Sequence, residues 1–394
     1  MSGEARPLRL ALISGEASGD ALAASLVREL HGRGVAFELI GVGGAALETE
    51  GLKSFFPQTD IAIMGVAAVL QRLPLLLRRI SETARTIADA KPDLLLTIDA
   101  PDFCLRVAKK VRARAPGIPI AHWICPTVWA WRPKRARRMK PHVDRVLCFL
   151  PFEPEELRKL DGPPGVYVGH PLIERLSDFR PQTDEERVAR ADASAPEILL
   201  LPGSRRSEVS RLISIFGEVT ARIARDFPQA RFSLPVAPHV RELVANGVRT
   251  WSTPVSLLDG EQAKLAAFRR ARVALAASGT VTLELALAKI PTVGVYRLAE
   301  WEAMIARRLL RVHSVLMSNL VLGENAVPEL LQENCTPDAI MAVLSPLIGE
   351  SSARAAQLAA FDRIEAKMRS DGASPSAHVA DEILGMIAKI KTPR

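Results

Sequence analysis

Short, almost wholly apolar runs recur along this chain and alternate with amphipathic stretches of helical period. Leu94–Ile98, Ile198–Leu201 and Val273–Ala276 leave hardly a residue suited to face water. Such runs fit strands covered on both faces, the environment of parallel strands joined through helices. The same reading predicts strands at Leu8–Ile13, Phe37–Val42, Ile118–Trp123, Arg145–Phe149, Val166–Val168, Arg231–Pro235 and Thr292–Tyr296. Helices are expected at Asp20–Gly32, Leu73–Ala90, Arg106–Ala115, Glu208–Asp226, Gly260–Arg270 and Leu283–Ala288. A chain of 394 residues is long enough for two domains. The polar, proline-interrupted segment Ser177–Arg187 precedes a fresh strand series, so a boundary is expected near 172–196. The expected division is 1–172, 173–351, and helices over 352–394 that pack back on the body.

Charge narrows the partners. The formal net charge of +8 favours an anionic one. Cys104, Cys125, Cys148 and Cys335 show no C-x-x-C spacing and read as reduced thiols. The histidines form no H-x-x-x-H pair, so no resident metal or cofactor is expected. The chain enters its first strand without a cationic, then apolar, leader, so a signal peptide is not expected. No run is apolar enough to span a bilayer.

Two strand–turn–helix stretches carry the strongest chemical signal. They are Leu199–Glu208, with Pro202-Gly203-Ser204-Arg205, and Ala276–Glu284, with Ser278-Gly279-Thr280. Turns of this kind leave backbone N–H groups at a positive helix end, where an anion is stabilised. Arg205 adds a cation able to fork onto phosphate oxygens. Glu284 could accept from ribose hydroxyls. Together they predict a cradle for a nucleotide diphosphate.

The first turn, Ser14-Gly15-Glu16-Ala17-Ser18-Gly19-Asp20, reads either as a substrate-binding turn or as a helix start capped by Ser18 or Asp20. It is not G-x-G-x-x-G, which disfavours a dehydrogenase. Asp99 and Asp102 follow the run Leu94–Ile98. Asp102 suits a helix cap better, and Asp99 suits general-base work at a strand's carboxyl end. Pro126–Lys140 combines Trp129 and Trp131 with six cations. It fits a phosphate-bearing substrate, headgroups, nucleic acid or a solvated helix. Ile61–Arg79 is apolar and edged by arginines, fitting a buried helix pair, an interfacial segment or a shelter for acyl chains. No D-x-D pair occurs, so a leaving diphosphate would be neutralised by turn N–H groups and basic side chains.

An ordered set of motifs runs nearly end to end: Ser14–Asp20, Ile98–Phe103, Pro126–Arg132, Phe149–Glu153, Gly169-His170-Pro171, Leu201–Arg205, Ala277–Thr280 and Ser318-Asn319-Leu320. In these the chain resembles the lipid-A-disaccharide synthase family. The resemblance implies an α/β protein of GT-B architecture, two Rossmann-like domains with parallel sheets facing across a cleft. It implies an inverting, metal-independent glycosyltransferase with UDP-2,3-diacylglucosamine as donor and 2,3-diacylglucosamine 1-phosphate (lipid X) as acceptor. The products would be the β-1′,6-linked disaccharide 1-phosphate and UDP. Asp99 would be the base. Gly203, Ser204, Arg205, Ser278, Gly279, Thr280, Glu284 and, by resemblance alone, Asn319 would hold the donor. Ser14, Gly15, Glu16, Ser18, Gly19, Asp20, Met64, Trp129 and Arg132 would meet the acceptor. The family usually has a glutamate where this chain has Ala68, so that position carries no catalytic expectation. A cytoplasmic protein bound peripherally to the inner face of the inner membrane is expected, with no nucleic-acid partner. A homodimer is compatible with the sequence, which leaves the oligomeric state open. A UDP-sugar epimerase and a GT-B relative with a soluble acceptor are the alternatives that share the UDP cradle.

Overall fold

The structure, a computed structural model, describes residues 6–61, 71–370 and 373–391. Its strands are β1 (Leu8–Ser14), β2 (Phe37–Val42), β3 (Leu94–Ile98), β4 (Ile120–Trp123), β5 (Arg145–Cys148) and β6 (Gly165–Tyr167). They continue as β7 (Glu197–Leu201), β8 (Arg231–Val236), β9 (Ser256–Asp259), β10 (Val273–Ala277), β11 (Thr292–Tyr296) and β12 (Glu329–Leu331). All pair in parallel, in two six-stranded sheets ordered β2-β1-β3-β4-β5-β6 and β12-β11-β10-β7-β8-β9. The apolar runs fill the sheet centres: β3, β7 and β10 are buried at every position. Short edge strands β9 and β12 escaped the sequence reading because they are only half covered and lack a long apolar run.

The chain falls into two compact units, 1–170 with 370–394, and 171–369. The last two helices part company. Ser352–Met368 belongs to the second unit, whereas Pro375–Lys391 returns to the first and packs Val379, Ala380 and Ile383 into its core.

Each unit has one place where its strand order reverses direction. In the first it lies between β1 and β3, in the second between β7 and β10. At such a point the two flanking βα turns diverge, leaving a crevice at the strands' carboxyl ends where open α/β sheets bind ligands. All the turns singled out in the sequence sit at these two places.

Candidate active site

In the second unit, the ends of β7, β8, β9 and β10 surround a cavity of about 610 Å³. Gly203, Ser204, Arg205, Ser278, Gly279 and Thr280 all line it. The Gly203 turn differs from expectation in one respect. Its Ser204 and Arg205 N–H groups both donate to Glu208 Oε2 at 3.2 Å, and Arg205 Nη1 donates to Glu208 Oε1 at 2.8 Å. Glu208 is buried, and its carboxylate takes the donors that an incoming anion was expected to meet. The cause is local: a glutamate in the first helical turn reaches back to the unsatisfied N–H groups, the glutamate half of a capping box. Gly203 has φ +110°, and a Cβ there would lie 2.6 Å from Glu208 Oε2. The turn therefore requires glycine.

The Ser278 turn is less committed. Ser278 N–H donates to the Val295 carbonyl at 2.9 Å and its hydroxyl to the Val315 carbonyl at 2.9 Å. Among the described residues, no hydrogen bond is recorded from the Gly279 or Thr280 N–H. Lys264, which the sequence reading missed, joins the lining and donates to Glu284 Oε2 at 2.7 Å. Its helix follows β9, the strand that went unrecognised, so no sequence signal connected it to the site. Glu284 itself stands behind Lys264 and not among the lining residues. Asn319 is wholly buried and fully committed: Nδ2 donates to the Ser314 hydroxyl at 3.2 Å and the Val327 carbonyl at 3.0 Å, and Oδ1 accepts from Val327 N–H at 2.9 Å. It clamps the chain around Val327 and is not part of the lining.

In the first unit, β1 and β3 run side by side with Ser14 opposite Ile98, so their end turns touch. Ser14, Gly15 and Gly19 are buried there, while Glu16 and Ser18 are exposed. A Cβ on Gly15 would lie 2.2 Å from Ala100 Cβ, so glycine permits the contact. Asp99 and Ala100 both adopt left-handed backbone, with φ of 51° and 39°. Two consecutive non-glycine residues in that region cost roughly 1–3 kcal/mol each and cluster at functional sites. Asp99 is half-buried, and desolvation raises its carboxyl above the ordinary value, opposed by a hydrogen bond from Ala100 N–H. Burial, then the neighbouring Asp99 charge, raises Glu16 as well. Gln58, also missed in the sequence, donates to the carbonyl of Ser14 at 3.1 Å and of Glu16 at 3.2 Å, bracing the turn.

Several expected caps resolve differently. The helix Ala17–Gly32 has no side-chain cap. Asp20 instead accepts from Gly44 N–H at 2.7 Å and Ala46 N–H at 2.9 Å, holding the start of the neighbouring helix Ala45–Thr49. Asp102 makes no cap either; it pairs with Arg135 at 2.6 Å and Arg132 at 3.8 Å. Arg132 stacks on the exposed Trp131, 3.8 Å from its ring centroid. Trp129 is buried against Phe152 and donates to Glu153 Oε1 at 3.2 Å. Met64 and Ala68 lie outside the described residues.

Cys125, Cys148 and Glu153 place their ligand atoms within 4.8 Å of one another. Glu153 already accepts from Phe149 N–H at 3.1 Å and Leu150 N–H at 3.0 Å besides Trp129. Burial lifts its carboxyl to about 7. These contacts tie the loop at Phe149 and Leu150 to the start of the helix Glu153–Lys159.

Two parallel-sheet units with ligand-ready switch points define a GT-B fold. Acinetobacter baumannii MurG matches at TM-score 0.56 and 14% identity, over 96% of this chain and 100% of that one. The Neisseria meningitidis UDP-GlcNAc 2-epimerase bound to UDP-GlcNAc matches at TM-score 0.57 and 15% identity, over 97% of this chain and 100% of that one. At these identities the likeness shows the fold alone. Sequence goes further. A lipid-A-disaccharide synthetase family model matches residues 10–383. The lipid-A-disaccharide synthase of Rhodopseudomonas palustris (strain HaA2) is 48% identical over 384 residues, 97% of each chain. That of Nitrobacter hamburgensis is 49% identical over 379 residues, 95% of each chain. The chain belongs to the lipid-A-disaccharide synthase family.

Proposed function

We propose that this protein joins UDP-2,3-diacylglucosamine to lipid X, giving the β-1′,6-linked lipid A disaccharide 1-phosphate and UDP. The observation that carries the reading, beside family membership, is the second unit's cavity. It gathers Arg205, Lys264 and the Gly279 and Thr280 N–H groups at a switch point, a set matched to a diphosphate. Arg205 and Lys264, paired here with Glu208 and Glu284, would turn to the diphosphate and, with the uncommitted turn N–H groups, offset the leaving group's charge without a D-x-D metal site, so activity is expected to persist in EDTA. The uridine ribose would reach Glu284 once Lys264, which covers it here, turns to the diphosphate.

Asp99 is the base. Burial raises its carboxyl above the ordinary aspartate value, which makes the ionised form a stronger base toward the acceptor 6-hydroxyl proton. The freed oxygen attacks the donor's anomeric carbon as the C–O bond to UDP breaks, inverting that centre in one displacement. A positioned base of this kind supplies typically about 10²–10⁴-fold. Glu16, Ser18 and Arg132 stand exposed in the same unit for acceptor contacts. Among the described residues no helix is long and apolar enough to cross a membrane. Exposed Leu73 and Leu77 beside Arg72 and Arg78 support peripheral binding at an anionic lipid surface.

Mass-spectrometric analysis of products from UDP-2,3-diacylglucosamine and lipid X tests the reading. The expected result is the disaccharide 1-phosphate formed one-for-one with UDP. An isomerised sugar nucleotide without disaccharide would place the chain with the epimerase-like chemistry instead.

A further inference from the structure

A second cavity, of about 430 Å³, adjoins the first within the second unit, and Ser278 lines both. Leu298, Ala303, Ala306, Leu310, Val315 and Leu331 give it a mostly apolar surface, with Tyr296, Arg307, Gln332, Glu333 and Asn334 as its polar side. The polar heads around it are largely engaged. The Tyr296 hydroxyl donates to Glu208 Oε1 at 3.4 Å, Gln332 Oε1 accepts from Leu298 N–H at 3.3 Å, and Arg307 pairs with Glu333 at 2.7 Å. Away from that polar side, the apolar wall offers a sugar, a base or a phosphate no partner for the water it would lose. It suits an unbranched hydrocarbon.

The wall helix Glu300–Leu309 is apolar on both sides. Ala303 and Ala306 face the cavity, while Trp301, Met304, Ile305 and Leu309 are exposed beside the exposed Arg308. A hydrocarbon leaving the cavity past this helix meets further apolar surface, not bare water. Because Ser278 lines both cavities, they are close enough for one ligand to place its parts in each.

We propose that this cavity takes one fatty acyl chain of the acylated sugar nucleotide whose diphosphate occupies the neighbouring cavity, an inference that rests on reading that neighbour as the UDP-sugar site. The acyl site would select long-chain donors over non-acylated UDP-sugars.

Two variants test it. Ala306→Phe fills the cavity from its wall, and Leu310→Ser removes hydrocarbon from an exposed position on the rim. Each is titrated calorimetrically, beside wild type, with UDP and with UDP-2,3-diacylglucosamine bearing long or very short chains. UDP and short-chain affinities should stay within about twofold of wild type, and long-chain affinity should fall about tenfold, as expected for losing a few buried methylenes. Unchanged long-chain affinity in both variants overturns the acyl site while leaving the UDP reading intact. Equal losses for long and short chains also overturn it. If Ala306→Phe loses UDP binding through misfolding, Leu310→Ser decides by the same criterion. Wild type that fails to bind UDP removes the nucleotide reading and, with it, the acyl site.

Discussion

At the scale of single residues, Asp99 concentrates the unusual features of the first unit. It is half-buried, left-handed in φ, followed by a second left-handed residue, and set at the carboxyl end of a central strand. Asp99→Asn keeps the shape and removes the base. Turnover should fall about 10²–10⁴-fold with UDP affinity unchanged; a rate assay beside calorimetric titration checks this, and near-normal turnover would take Asp99 out of the chemistry. The pH profile gives a second readout. The base works only when ionised, so activity should fall as pH drops through its pKa. Desolvation raises that pKa, so the acidic limb should sit above the ordinary aspartate value of 3.8. The same shift has a stability sign: the fold favours the protonated form, so Asp99 contributes stability at low pH that is lost as pH rises through the raised value. Asp99 was legible in the sequence because an acidic residue ended an apolar run. Its left-handed backbone was not, since that depends on Gly15 giving way to Ala100 across β1 and β3.

At the scale of elements, the Gly203 and Ser278 turns look alike in sequence and behave differently. The Gly203 turn is closed by its own Glu208, whereas the Ser278 turn keeps two N–H groups uncommitted among the described residues. Glu208 lies three residues after Arg205, and the sequence reading assigned it no role. Gly203→Ala tests how far the cradle depends on that closure. Positive φ and the contact with Glu208 both oppose a methyl group, at roughly 1–3 kcal/mol. UDP affinity should fall by a comparable amount, together with melting temperature. UDP affinity equal to wild type would show that the turn's shape does not matter for the nucleotide. Buried strands such as β3 and β10 were found to within a residue, because burial on both faces leaves an unbroken apolar run. Helix starts were found less well. Pro101 and Arg206 begin helices ahead of the expected starts Arg106 and Glu208, and Asp20, offered as one alternative cap of its own helix, reaches across to Gly44 instead.

For the whole molecule, the remaining expectation concerns the lipid surface. Leu73 and Leu77 are exposed on the helix Leu73–Ala90, whereas Leu75 and Leu76 are half-buried. Replacing the exposed pair by serine therefore tests membrane contact with little cost to the core. Each apolar side chain sunk into an interface contributes roughly 25 cal/mol per Å² removed from water. Leu73→Ser with Leu77→Ser should reduce co-sedimentation with anionic vesicles and turnover of lipid substrates, while UDP affinity and melting temperature hold. A double variant that binds vesicles like wild type would rule out this helix as the anchor.

The sequence by itself determined the α/β class, the parallel sheets and the strand-end turns that lie at the two switch points, because apolar runs, glycine turns and strand-end carboxylates are local signals. Family membership was likewise legible in an ordered set of short motifs. Only the tertiary structure decided which of those residues face a cavity and which serve the fold. Asn319, Asp20 and Trp129 turned inward to satisfy buried partners, while Lys264 arrived at the second unit's larger cavity from a helix with no motif of its own. The same distance in sequence separates residues that meet and residues that do not. The choice is made by which buried polar groups need a partner once the sheets have formed, and that need does not exist until the chain is folded.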